Sequence, residues 1–187
     1  MKNLVVLSGA GMSAESGIST FRDAGGLWDK YPVEQVATPE GYARNPELVI
    51  NFYNERRKQL LEVRPNDGHL GLAELEADFN VTVVTQNIDG LHQKAGSEKV
   101  YELHGTIMKN YCMKCGQFYD LSYVMNSEGV PRCEKCGGMV KPDVVLYEEG
   151  LDNDTIEESV RAISNAQILI IGGTSLAVYP AAGLIDH

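Results

Sequence analysis

Gly9-Ala10-Gly11-Met12-Ser13-Ala14-Glu15-Ser16-Gly17-Ile18-Ser19-Thr20-Phe21-Arg22 follows directly on Leu4-Val5-Val6-Leu7-Ser8. Residues 4–8 read as a short apolar strand. Gly9 to Ala14 then fits the G-x-G-x-x-G/A pattern of a strand-to-helix turn. Glycine lets the backbone approach a pyrophosphate, and the start of the next helix offers free N–H groups to it. The fingerprint of an ordinary dinucleotide-binding dehydrogenase also needs a second strand ending in an acid about twenty residues on. Here residues 18–32 are instead Gly-rich and irregular, and carry Phe21, Arg22, Asp23 and Trp28. The turn is therefore read as a phosphate site whose next segment folds over a cofactor.

The remaining chain supplies the rest of an α/β unit. Asn45-Pro46 opens a helix running to about Val63, with Asn as N-cap and Pro at the first helical position. Tyr53 and Arg56 are three apart and share a face of it. Asn66 or Asp67 opens a second helix through Leu70, Leu72, Leu75 and Phe79, with His69 at its start in a structural role. Val81-Thr82-Val83-Val84-Thr85 is a buried strand. Gln86-Asn87-Ile88-Asp89-Gly90-Leu91-His92 follows at its C-terminal end, where open α/β sheets bind ligands. By itself that segment also reads as ordinary Asx-turn chemistry. Val100 to Leu103 is a short strand leading to His104-Gly105. Val140 to Glu149 is expected to return to the main sheet. Asp152 or Asn153 caps a helix to about Asn165. Gln167 to Ile171 is a buried strand, followed by a second glycine-containing turn, Gly172-Gly173-Thr174-Ser175, and a helix that still runs at His187.

The 187 residues are enough for one domain with a real core plus a small module. A net charge of -10 and a pI of about 4.8 argue against nonspecific binding to nucleic acid or anionic membrane. Neither a signal peptide nor an apolar stretch of about 18 residues is found, so the cytoplasm is the expected location. The four cysteines fall as Cys112/Cys115 and Cys133/Cys136, a C-x2-C-x17-C-x2-C spacing. That spacing points to zinc, since disulfides rarely persist in the cytosol. Four thiolates fill a tetrahedral shell, so the metal is structural, and residues 107–141 form its module.

Gly9 to Trp28 resembles the NAD-binding signature of the sirtuins, the NAD-dependent protein lysine deacylases. Thr85 to Gly96 is similar to their second signature, and the resemblance covers essentially the whole chain. This chain has Ser19 where the family usually has Pro, and Tyr147-Glu148-Glu149 where it usually has Phe-Gly-Glu. The resemblance implies a doubly wound, Rossmann-like parallel sheet (residues 1–106 and 142–187, lacking a C-terminal portion) with a zinc-ribbon insert at 107–141. It implies NAD as co-substrate, bound by Gly9, Ala10, Gly11, Ala14, Thr20, Phe21, Arg22, Trp28, Gln86, Asn87, Ile88, Asp89, Gly173, Thr174 and Ser175. His104 is then the catalytic base, with Asn87 and Asp89 orienting ribose, nicotinamide or water. Val145, Leu146 and Tyr147 bind an acyl-lysine protein or peptide, which lies as a strand between segments 143–149 and 174–180. In that chemistry the amide oxygen of acyl-lysine attacks the nicotinamide ribose, nicotinamide leaves, and the acyl group ends on ADP-ribose. Tyr53 and Arg56 match the Tyr-x-x-Arg pair of the sirtuin class acting on succinyl and malonyl groups, and Gly26-Leu27-Trp28 and Ala37-Thr38-Pro39 also match that class. Mono-ADP-ribosyl transfer and a non-catalytic NAD-sensing module are the alternatives.

Overall fold

The computed structural model describes residues 1–20 and 27–187, the side chains of Leu27 and Trp28 excepted. In chain order its elements are β1 (Lys2–Ser8), a 3-10 helix (Ala10–Ser16), α1 (Leu27–Lys30), α2 (Val33–Val36), α3 (Pro39–Arg44), α4 (Pro46–Glu62) and α5 (Asp67–Glu74). Then come a 3-10 turn (Leu75–Ala77), β2 (Phe79–Thr85), α6 (Leu91–Ala95), β3 (Val100–Glu102), β4 (Gly105–Cys112), β5 (Phe118–Tyr119) and α7 (Leu121–Met125). β6 (Val140–Val144), α8 (Asn153–Ser164), β7 (Ile168–Gly172) and a 3-10 helix (Ala181–Asp186) complete the description.

β1 is the centre of a parallel sheet of order β3-β2-β1-β7. Ser8 lies level with Thr85 of β2 and Gly172 of β7. The three loops that leave these strands therefore emerge side by side. Alternate residues of β1 face opposite ways. Val5 and Leu7 pack with Ile163 of α8, while Leu4 and Val6 pack with Leu72 of α5. Burying a Val or Leu side chain contributes about 1.5–3 kcal/mol, so both faces of the strand hold helices in place.

A second, antiparallel sheet has the order β5-β4-β6. Ile107 of β4 and Val144 of β6 share a core with Ile50, Phe52 and Tyr53 of α4. Arg57 reinforces this contact. It is fully buried, donates through Nε to the Ile107 carbonyl at 2.9 Å, and binds the Asn110 side chain.

α4 begins where the sequence places it: the Asn45 side chain accepts from Leu48 N–H, with Pro46 next. Other expectations need correction. Residues 10–16 form a 3-10 helix rather than the first turns of an α-helix. α5 stops at Glu74, and Phe79 already belongs to β2, which runs parallel to β1 from Lys2↔Phe79. Segment 140–144 pairs antiparallel with β4 in the second sheet, not with the main sheet. Leu169, Ile170 and Ile171 of β7 are 37%, 38% and 43% exposed rather than buried, because β7 pairs with β1 on one side and no described strand lies on the other. After the second glycine turn, residues 181–186 form a 3-10 helix. Among the described residues no helix is long and apolar enough to cross a membrane.

Candidate active site and metal centre

The loops after β1, β2 and β7 meet at one end of the parallel sheet. The first and third are bound to each other: Gly9 N–H donates to the Gly172 carbonyl at 3.2 Å, and Gly11 N–H to the Gly173 carbonyl at 2.8 Å. This contact explains the glycines. A Cβ on Gly9 would lie 2.7 Å from the Gly173 oxygen, and one on Gly173 would lie 2.2 Å from the Met12 nitrogen. Two N–H groups that the motif would offer to a phosphate are thus engaged in joining the two turns. The Gln86 side chain ties the second loop to the third by donating to Thr174 Oγ1 at 2.9 Å.

These loops form one wall of a cleft of about 510 Å³. Of the residues expected at a site, Gly9, Ala10, Gly11, Thr20, Gln86, Asn87, Ile88, His104, Gly173, Thr174 and Ser175 line it, as do Tyr53, Arg56, Val145, Leu146 and Tyr147. Ala14 and Asp89 do not. Ala14 is exposed on the 3-10 helix. Phe21, Arg22 and the Trp28 side chain lie outside the described residues.

Asp89 lies behind the lining, in a polar network that the sequence reading did not assemble. Its Oδ2 accepts from Ser13 Oγ at 2.6 Å, and its Oδ1 from Leu91 N–H at 3.0 Å. Asn87 donates through Nδ2 to the Gly9 carbonyl at 2.9 Å and to Ser13 Oγ at 3.3 Å. His69 Nδ1 accepts from Asn66 N–H at 3.2 Å, so its proton is on Nε2, which faces Ser13 Oγ at 3.5 Å. Desolvation by burial lowers the His69 pKa. A second buried histidine, His92, packs edge-on to it with ring centres 4.9 Å apart. His92 Nε2 is 2.9 Å from Ser8 Oγ, which donates to Thr85 Oγ1 at 2.8 Å; Thr85 Oγ1 also accepts from Asn87 N–H at 3.0 Å. Burial pushes the His92 pKa down to about 4. Both histidines are therefore neutral near pH 7, and the chain Ser8–Thr85 fixes the peptide of Asn87. The signal available in the sequence was Ser13, placed inside the first glycine motif.

His104 follows β3 at the floor of the cleft. Its Nδ1 is 3.0 Å from the Gln86 carbonyl oxygen. The opposite wall is segment 144–149, where Tyr147 N–H donates to the Ala37 carbonyl at 2.8 Å. Deeper in, Tyr53 is 4% exposed, and burial drives its pKa far up, keeping it a neutral hydroxyl. Arg56 stacks over the Phe52 ring at 5.4 Å and approaches Glu55 at 3.7 Å, while its buried Nε has no partner.

The cysteines gather away from this cleft. The sulfur atoms of Cys112, Cys115, Cys133 and Cys136 all lie within 4.8 Å of one another, with Cys112–Cys136 at 3.5 Å and Cys115–Cys133 at 3.6 Å. Tetrahedral zinc with bonds of about 2.3 Å holds sulfur atoms about 3.8 Å apart, so the set fits that ion. The backbone is shaped around it: a Cβ on Gly138 would lie 2.8 Å from Cys112 Sγ. Tyr119 donates its hydroxyl to Cys133 Sγ at 3.1 Å.

Comparison with known proteins agrees with this geometry. Residues 9–180 match the Sir2 family. An NAD-dependent protein deacylase of Bacteroides thetaiotaomicron is 58% identical over 193 residues, covering 100% of this chain and 81% of that protein. The crystal structure of a Sir2 homologue–NAD complex superposes with a TM-score of 0.90 at 38% identity, over 98% of this chain and 73% of the other. A Sir2 structure in complex with an inhibitor, 2′-O-acetyl-ADP-ribose and a deacetylated peptide gives 0.85 at 37% identity, over 97% and 74%.

Proposed function

Since the chain belongs to the Sir2 family, we propose that its cleft seats NAD against the sheet loops and an acyl-lysine segment against the 144–149 wall. The activity is NAD-dependent protein deacylation with O-acyl-ADP-ribose as product; one solved Sir2 structure carries NAD and another carries 2′-O-acetyl-ADP-ribose with a deacetylated peptide. The observation that carries the reading is the convergence of His104, Asn87, the paired glycine turns and segment 144–149 on one cleft.

NAD supplies a ribose carbon that becomes electrophilic as nicotinamide departs. The protein's part is positioning and proton transfer. The Gln86 carbonyl can only accept, so His104 carries its proton on Nδ1. Nε2 is left with a lone pair, suited to take a proton from a ribose hydroxyl. Asn87, held at both its side chain and its peptide, orients the groups near the ribose, and Asp89 acts on the site through Ser13. The glycine turns and Gln86–Thr174 shape the floor for the phosphates. The backbone of Val145 and Leu146, on the same cleft as Gly173 to Ser175, supports addition of a peptide strand. In the sheet as a whole, α5 and α8 on opposite faces support a doubly wound, Rossmann-like domain, and the four-cysteine module supports a zinc ribbon spanning 107–141. A four-thiolate zinc set in place of disulfides supports a cytoplasmic location.

Within the family, Tyr53 and Arg56 support action on acidic acyl groups, succinyl and malonyl as well as acetyl. A neutral hydroxyl and an arginine with an unpartnered Nε lie one helical turn apart on the cleft wall. That is a donor set for a carboxylate. Incubating the protein with NAD and acetyl-, malonyl- or succinyl-lysine peptides, followed by mass spectrometry, tests the reading. Nicotinamide release that depends on the peptide, with the matching acyl-ADP-ribose, supports it. Peptide-independent NAD cleavage, or none, overturns it.

A further inference from the structure

The charged side chains among the described residues lining the cleft are Arg56, Glu148 and Glu149. Arg56 faces the acyl pocket described above. Glu149 is engaged: its Oε2 accepts from Leu146 N–H at 2.8 Å and lies 3.8 Å from the buried Lys141 ammonium. Glu148 is different. It is exposed, and its carboxylate has no hydrogen bond or ion pair among the described residues.

Its backbone is held in an unusual place. Glu149 N–H donates to the Leu146 carbonyl at 3.1 Å, closing a four-residue turn with Glu148 in the third position at φ +73. A turn with positive φ at that position favours glycine, because a Cβ is strained there. The neighbours fix the strained form. Lys141 donates to the carbonyls of Val144 at 2.8 Å and Pro142 at 3.2 Å, and Tyr147 N–H is bound to Ala37. A glutamate kept where the backbone favours glycine, on the rim of a substrate cleft, invites a functional reading of its charge.

We propose that Glu148 is a specificity determinant, selecting acyl-lysine segments that carry Lys or Arg beside the acylated residue. This rests on the deacylase reading above. Acylation removes the charge of the substrate lysine itself, so only its neighbours can complement the carboxylate. An exposed pair contributes modestly, so the preference for basic over neutral flanks is about two- to fivefold in kcat/KM. It shrinks as salt is raised.

The test uses acyl-lysine peptides that differ only in flanking residues (Lys, Ala or Glu on either side), with nicotinamide release as the readout. Wild-type protein prefers Lys flanks over Ala, and Ala over Glu. Glu148→Gln, which keeps the backbone demand but removes the charge, brings the Lys/Ala ratio to about one, and Glu148→Lys inverts it. Glu148→Gly also loses the ratio while its melting temperature does not fall, since glycine relieves the turn. A wild-type ratio of one, or a ratio that survives Glu148→Gln, overturns the proposal; the second result would assign any preference to the overall net charge of -10. Turnover without flank dependence thus removes only the role of Glu148, whereas no acyl-dependent turnover with any peptide overturns the deacylase reading and this inference together.

Discussion

His104 Nδ1 lies 3.0 Å from the carbonyl oxygen of Gln86, the residue whose side chain also reaches Thr174. One residue thus sets the tautomer of the histidine and joins the loops after β2 and β7. The histidine is presented to the cleft with Nε2 as its basic nitrogen. His104→Ala is expected to lower turnover by about 10²–10⁴-fold, the usual contribution of a positioned base. Circular dichroism and melting should stay near wild type, because the histidine is only partly buried at the cleft floor. Near-normal turnover in the folded variant would remove His104 from the mechanism.

The four thiols should hold one zinc per chain, with no role in the reaction. The sulfur set is closed, and the cleft lining contains none of the four cysteines. Between the pairs, residues 116–132 contribute little apolar core beyond Val124, Tyr119 and Tyr123, so order in this module depends on the ion. Chelation or Cys133→Ser is expected to lower the melting temperature and expose the amides of the second sheet to exchange. Metal analysis finding no zinc would refute this, as would a zinc with an exchangeable water.

Much of this was legible in the chain. Strands at 4–8, 81–85 and 167–171 stand out because they are apolar runs ended by glycine or polar turns, and α4 is announced by Asn45-Pro46. The Cys-x-x-Cys pairs state their own chemistry. What could not be read was long-range. The glycines of the first turn are demanded by the turn after β7, more than 160 residues away, through Gly11 and Gly173. The pairing of segment 140–144 with β4 was hidden because Val140-Lys141-Pro142-Asp143-Val144 carries no pattern that favours one sheet over the other. The Ser13–Asp89 and Ser8–His92 contacts join residues far apart in the chain, so the glycine motif that marks Ser13 does not name its partner.

The buried histidines give the fold a defined pH response. Folded His92 has a pKa of about 4 against an ordinary 6.5, with desolvation the main cause and the neighbouring His69, itself lowered, adding to it. Above pH 6.5 both states leave these rings neutral and stability is full. Between 6.5 and 4 the unfolded chain binds protons that the folded chain refuses, so stability falls as pH falls. For His92 alone the loss approaches on the order of 3 kcal/mol near pH 4. Melting temperatures from pH 7.5 to 5 should therefore decline, and His92→Gln, which retains a donor toward Ser8, should flatten the decline. A flat wild-type profile over that range would contradict the burial of neutral histidine.

Under the proposed reading, Arg56 is expected to decide which acyl group is favoured. It projects from the same turn of α4 as Tyr53, beside Phe52, and both Tyr53 and Arg56 line the cleft with Val144 and Ala37. Its only described acid contact is Glu55 at 3.7 Å, a long pair with a half-exposed carboxylate that leaves the guanidinium available. A hydrogen bond to a charged group contributes roughly 1.5–3 kcal/mol, so Arg56→Met should lower kcat/KM for succinyl-lysine by about ten- to a hundred-fold. Acetyl-lysine offers no carboxylate and should lose much less. Tyr53→Phe should act in the same direction and more weakly, since the hydroxyl is one neutral donor while the guanidinium brings charge and a fork. Measuring both variants on both peptides separates the possibilities. Equal losses on succinyl and acetyl substrates would mean that Arg56 serves the fold or the NAD side of the cleft, and selectivity for acidic acyl groups would have no basis in this helix.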